Sequence, residues 1–147
     1  MIRLNRKSAS GQKGVAIIEA ALTLPLVLLV LFGVINFGIA LYNKSVITNA
    51  SREAARNGIV YSTTVDYDAI AQDAINRCNG RLINFGGSTT CTAEAEPVST
   101  INAVDPTKMD NTLIVRVNFD FNTVAGALMG VGNVISMESE TQMKFEI

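Results

Sequence analysis

The sequence predicts an α+β protein, in which a long N-terminal transmembrane and stalk helix packs with a second helix and a small antiparallel β-sheet. Three observations predict it. No charged residue lies between Glu19 and Lys44, where the chain reads AALTLPLVLLVLFGVINFGIALYN. After Lys44 the apolar residues recur at helical spacing. Near the C-terminus two segments alternate apolar and polar residues strictly.

The charge-free stretch spans about 36 Å as a helix rising about 1.5 Å per residue, enough to cross a hydrocarbon core of about 30 Å. Asn36 is its only strongly polar interior residue. Apolar character runs all round this helix, unlike the one-sided stripe of a helix in a soluble core. Residues 15–43 therefore read as a single membrane span.

Residues 1–14 form a polar leader, read as disordered, that carries Arg3, Arg6, Lys7 and Lys13 and no acid. With 12 basic and 13 acidic residues and a net charge of −1 overall, the rest of the chain is acidic on balance. A basic tail can signal nucleic-acid binding. Beside a membrane span its simpler meaning is orientation, with the leader cytoplasmic and the remainder carried across. Lys44, Arg52 and Arg56 on the far side soften that bias. No nucleic-acid partner is expected.

From Val15 the helix is expected to continue beyond the span as an amphipathic extension over residues 44–58. Val46, Ile47, Ala50, Ala54 and Ala55 recur at helical spacing there, and Gly58 after Asn57 is a natural C-terminal stop. The whole helix would be on the order of 60 Å long. The extension needs a partner surface, and residues 59–147, read as an extracytoplasmic α+β head, can supply one.

A second helix is predicted in DYDAIAQDAINRCNGRL, with Asp66 or Asp68 as its cap and Asn79-Gly80 as its end. INFGGSTTC reads as a turn-rich connection. Residues 90–98 read as a short strand, which Pro97 confines to a sheet edge or ends. In DNTLIVRVNFDFNTV, Leu113, Val115, Val117, Phe119 and Phe121 form one face, with Ile114, Arg116, Asn118 and Asp120 on the other. In ISMESETQMKFEI, Ile135, Met137, Met143, Phe145 and Ile147 alternate with Ser136, Glu138, Glu140, Gln142 and Lys144. This patterning predicts a half-exposed antiparallel sheet whose apolar face packs on the amphipathic half of the long helix. The intervening VAGALMGVGN is too long for a tight hairpin and reads as a short helix or an apolar loop at the membrane surface.

Cys78 and Cys91 are the only cysteines. In an extracytoplasmic domain the default reading is a disulfide contributing ~3 kcal/mol; the alternative is two unpaired core residues. With no histidine in the chain, neither a zinc site nor a histidine-based catalytic triad is expected. Asp66, Asp68 and Asp73 lack the glycine and the closing glutamate of a calcium loop, and Gly130-Val131-Gly132 lacks a phosphate-loop context. The triplets at Asn43 and Asn49 fit a glycosylation pattern but carry little weight. No catalytic, cofactor or metal residue is assigned, and no enzyme is expected. A secretory signal peptide would have a shorter apolar core and a nearby small-residue cleavage site.

The most informative run is KGVAIIEAALTLPLVLL. Gly14 ends the basic leader, and Glu19 follows four apolar residues later, at the edge of the span. If the chain is cut between Gly14 and Val15, Val15 acquires an ammonium that can pair with the Glu19 carboxylate, within one helix or between neighbours. That pairing offsets the cost of desolvating the acid. Pro25 removes a backbone hydrogen bond and can bend the helix, while Gly33 and Gly38 allow close helix approach in lipid.

Gly14, Val15 and Glu19, preceded by the basic leader and followed by the apolar helix, resemble a type IV prepilin processing signal. Over GVAIIEAALTLPLVLLVLFGVINFGIALYNKSVITNASREAARNG the chain further resembles the TadE-like domain of tight-adherence (Tad, or Flp) pilus systems. Glu19, Pro25, Phe37-Gly38 and the Ala-Arg-rich segment ending at Gly58 carry the likeness. Ala20 departs from it, since processed proteins of this system commonly have an aromatic residue there.

The resemblance implies a pilin-like minor subunit of the TadE or TadF class (a pseudopilin), cut after Gly14 by a prepilin peptidase. Glu19 would serve recognition or assembly. The implied partners are that peptidase, other pilin subunits through the N-terminal helix, an inner-membrane assembly platform and the lipid bilayer. The implied location is the bacterial inner membrane, with the head periplasmic. The alternative is an uncleaved single-pass protein whose head binds an envelope partner.

Overall fold

A computed structural model describes residues 10–60, 65–101, 109–124 and 134–144. The element order is α1 (Ser10–Val60), α2 (Tyr67–Cys78), β1 (Thr92–Ile101), β2 (Met109–Asn122) and β3 (Val134–Lys144). This is the expected α+β architecture.

The long helix exceeds its expected bounds at both ends. It begins at Ser10 rather than Val15 and runs unbroken through Pro25. Once a helix is nucleated, each added residue gains one hydrogen bond, so the apolar segment propagates helix back into the leader despite Gly11 and Gly14. At its other end Gly58 lies inside the helix instead of stopping it. The reason is packing. A Cβ at Gly58 would come 2.6 Å from Ile70 Cδ1 and 2.9 Å from Leu113 Cδ2. At this glycine α2 and β2 both close on α1, and that contact overrides its preference for a helix end. At about 1.5 Å per residue α1 is about 76 Å long.

The second helix follows its sequence signals. Asp66 is the N-cap, its side chain accepting a hydrogen bond from the Ala69 amide at 3.0 Å. Asn79 closes the other end by donating its amide to the Ile75 carbonyl, and Gly80 then takes the left-handed conformation at φ 77°. Cys78 and Cys91 form a disulfide that ties the end of α2 to the start of β1.

The sheet order is β1-β2-β3, all antiparallel, with β2 central. Pro97 stands in the edge strand β1 opposite Leu113, as its missing amide requires. Leu113, Val115, Val117, Phe119 and Phe121 of β2 are all buried. They pack with Ile47, Ala50 and Ala54 of α1 and with Ile70, Ala74 and Cys78 of α2. Alanines on α1 let the sheet approach the helix closely. Ile114, assigned to the polar face, is also buried, in register between Glu96 and Gln142 on the central strand.

The inward face of β3 differs from expectation. Met137 and Met143 pack on the core, but Ile135 is 47% exposed and the most buried position is Ser139. Phe145, Ile147, most of the VAGALMGVGN connection and leader residues 1–9 lie outside the described residues.

Candidate functional site

The features singled out in the sequence lie on α1, whose two halves have different surroundings. From Gly14 to Ile35 every side chain is exposed except the half-buried Phe32. This half includes one segment long and apolar enough to cross a membrane. Gly14 and Val15 lie within the helix, and Val15 is exposed. Residues four apart stand one above the other on a helix, so Val15 and Glu19 share a face. Glu19 is exposed there, and its carbonyl accepts a hydrogen bond from Thr23 at 2.9 Å. Among the described residues, Cβ atoms at Gly33 and Gly38 would meet nothing within 4 Å, so neither glycine packs against them.

The head takes hold of the helix at Asn36. Its Nδ2 donates to the Phe32 carbonyl at 2.7 Å, and its Oδ1 accepts the Val124 amide at 3.1 Å, just beyond β2. One heptad further on, Asn43 is fully buried and grips the backbone of Ile83 from both sides. Its Oδ1 accepts the Ile83 amide at 3.0 Å, and its Nδ2 donates to the Ile83 carbonyl at 2.7 Å. That burial closes Asn43 to glycosylation in the folded head. Lys44 then donates to the Glu138 carbonyl.

A hydroxyl cluster joins α1 to β3 above these contacts. Ser51 Oγ lies 2.8 Å from Thr141 Oγ1 and 3.2 Å from Ser139 Oγ, and Ser139 Oγ is 3.3 Å from Thr48 Oγ1. A buried hydroxyl without a partner is costly, so this cluster sets the register of β3 on the helix as well as adding stability.

The sequence reading missed these contacts. Asn36 and Asn43 at heptad spacing, in line with Ile47, Ala50 and Ala54, were the available signal for a protein-facing stripe. Ser139 and Thr141 interrupt an apolar alternation, and only their partners on α1 explain them.

On the other face of the sheet Arg116 is ringed by glutamates, 2.8 Å from Glu140, 3.8 Å from Glu96 and 3.9 Å from Glu138. Hydrogen bonding to Arg116, and secondarily to Gln142, holds the Glu140 carboxyl below its ordinary range; the same Glu140 contact raises the Arg116 guanidinium. Among the described residues no group of three or more acidic or cysteine side chains gathers to hold a metal ion.

Residues 14–56 match the family described as TadE-like protein. No curated protein and no solved structure was found to match the chain. The family match starts at Gly14, runs through the exposed half of α1 and ends in the half that the head covers. Over this segment, less than a third of the chain, the sequence is similar to TadE-like proteins.

Proposed function

We propose that this chain is a minor pilin-like subunit, a pseudopilin, needed to assemble a Tad/Flp-type adhesive pilus and cut by a prepilin peptidase after Gly14. The observation that carries the proposal is where the family match begins: its first residue is the glycine of the processing signal. The role is structural rather than catalytic. Before assembly the bare half of α1 holds the subunit in the inner membrane, with the leader cytoplasmic and the head outside. During assembly the same surface enters a bundle with the helices of other pilus subunits. Val15 and Glu19 on one face supply an ammonium and a carboxylate that can pair within or between helices once the leader is removed. Pro25, Gly33 and Gly38 shape the packing surface.

One observation favours the second reading, an uncleaved membrane protein whose head binds an envelope partner. The bond between Gly14 and Val15 lies inside α1, so a peptidase must unwind the helix to reach it. Intact mass and N-terminal sequence of the membrane-extracted protein, with and without the cognate prepilin peptidase, separate the two. The proposal expects a peptidase-dependent start at Val15. An intact leader under both conditions would replace it with the second reading.

A further inference from the structure

The head is built onto α1 so that its two ends differ. Gly58 meets Leu113 near the start of β2, and Asn36 meets Val124 just past its end. Over that interval α1 climbs about 33 Å at about 1.5 Å per residue, and β2 descends about 36 Å at about 3.3 Å per residue. The strand thus runs down the helix, and its lower end marks the head's base at the level of Asn36.

The base carries exposed apolar side chains. Phe85 is 39% exposed, with its ring 6.3 Å from that of Phe121. Asn84 holds this loop to the strand end, accepting the Asn122 amide at 2.7 Å and donating to the Asp120 carbonyl at 3.0 Å. Val134 is 52% exposed and Ile135 47% exposed; they pair with Asn122 and Phe121 on the last rungs of the sheet. Phe37 is 66% exposed at the same level of α1. Asp120, higher on β2, is engaged by Ser136 at 2.7 Å.

We propose that this base is a membrane-seating surface: Phe37, Phe85, Val134 and Ile135 rest in the interface of the bilayer that α1 crosses. The inference rests on the membrane-spanning reading of α1. The occupant follows from continuity, because the apolar patch lies at the level where the bare helix leaves the head. Length agrees with it. From Val15 to Ile35 the helix is about 31 Å long, matching a hydrocarbon core of about 30 Å, so the span ends at Ile35 rather than at Asn43. Asn36 then sits at the boundary, where its side chain is satisfied by protein. Aromatic and aliphatic side chains around an emerging helix are the groups that partition into an interface.

The chain has no tryptophan, so single tryptophans report depth directly. Full-length protein carrying Phe85→Trp, Val134→Trp, Leu28→Trp or Val60→Trp is reconstituted into phosphatidylcholine vesicles with brominated acyl chains. Leu28→Trp reports the span and Val60→Trp the far end of the head. Seating predicts loss of emission at Phe85→Trp and Val134→Trp intermediate between those two references. If both base reporters lose no more emission than Val60→Trp while Leu28→Trp is quenched, the seating is wrong and the span stands. If Leu28→Trp is itself unquenched, span and seating fail together. Val134→Trp keeps the test open should replacing Phe85 beside Phe121 disturb folding.

Discussion

The two halves of α1 form one continuous helix, yet they obey different rules. From Gly14 to Ile35 its apolar side chains are exposed on every face, while from Asn36 to Val60 a stripe of Asn36, Asn43, Ile47, Ala50, Ser51, Ala54 and Gly58 lies buried under the head. In the first half the hydrophobic residues are exposed among the described residues and are suited to lipid or to other helices. In the second half the buried residues of α1 are small or polar except for Ile47, and most of the large apolar groups come from the sheet. An apolar surface is therefore no guide to where this protein's own core lies. The core forms where the helix offers room and hydrogen-bond partners.

The sharpest way to break the comparison is one substitution in each half. Phe121→Ala empties a fully buried site and is expected to cost the head about 3–5 kcal/mol. Glu19→Ala touches nothing in the head and is expected to leave its stability unchanged while impairing pilus assembly more than membrane insertion. Denaturant unfolding of the head and a piliation assay read the two effects. Normal piliation with Glu19→Ala would remove the assigned role of the bare half.

The disulfide sharpens the comparison next. Cys78 and Cys91 are separated by 13 positions, and replacing both with alanine is expected to lower head stability by about 3 kcal/mol. Insertion of α1 should be unaffected, as judged by carbonate-resistant membrane association. Unchanged denaturant midpoints would show that α2 and β1 are held by packing alone.

The smallest effect belongs to the exposed face of the sheet. Because Arg116 lowers the Glu140 pKa in the folded state, the pair stabilises the head above the ordinary carboxylate pKa. That contribution is lost as the pH falls from the ordinary carboxylate range through the lowered value. Wild type should be slightly more stable than Glu140→Gln at neutral pH, and the gap in Tm should close under acid. Salt should narrow it at neutral pH, since the pair is solvent-screened. A gap that persists at low pH would mean that Glu140 acts through packing instead.

By itself the sequence determined the features that depend on local chemistry. An uncharged run gives a membrane-length helix wherever it stands, Asp66 caps α2 through its own side chain, and alternation in β2 sets which residues face inward. The residues carrying the family likeness were legible for the same reason, since Gly14, Glu19 and the apolar run lie close together in the chain.

Only the tertiary structure decided the rest. Gly58 reads as a helix stop until Ile70 and Leu113 are seen to occupy the space beside it. Ser139 and Thr141 read as breaks in an apolar face until Ser51 and Thr48 are found opposite them. Asn36 reads as a blemish in a membrane span until Val124 is found to donate to it. Each depends on a partner far away in sequence, and neither local propensity nor periodicity encodes which distant group will satisfy a polar atom or fill the space beside a glycine.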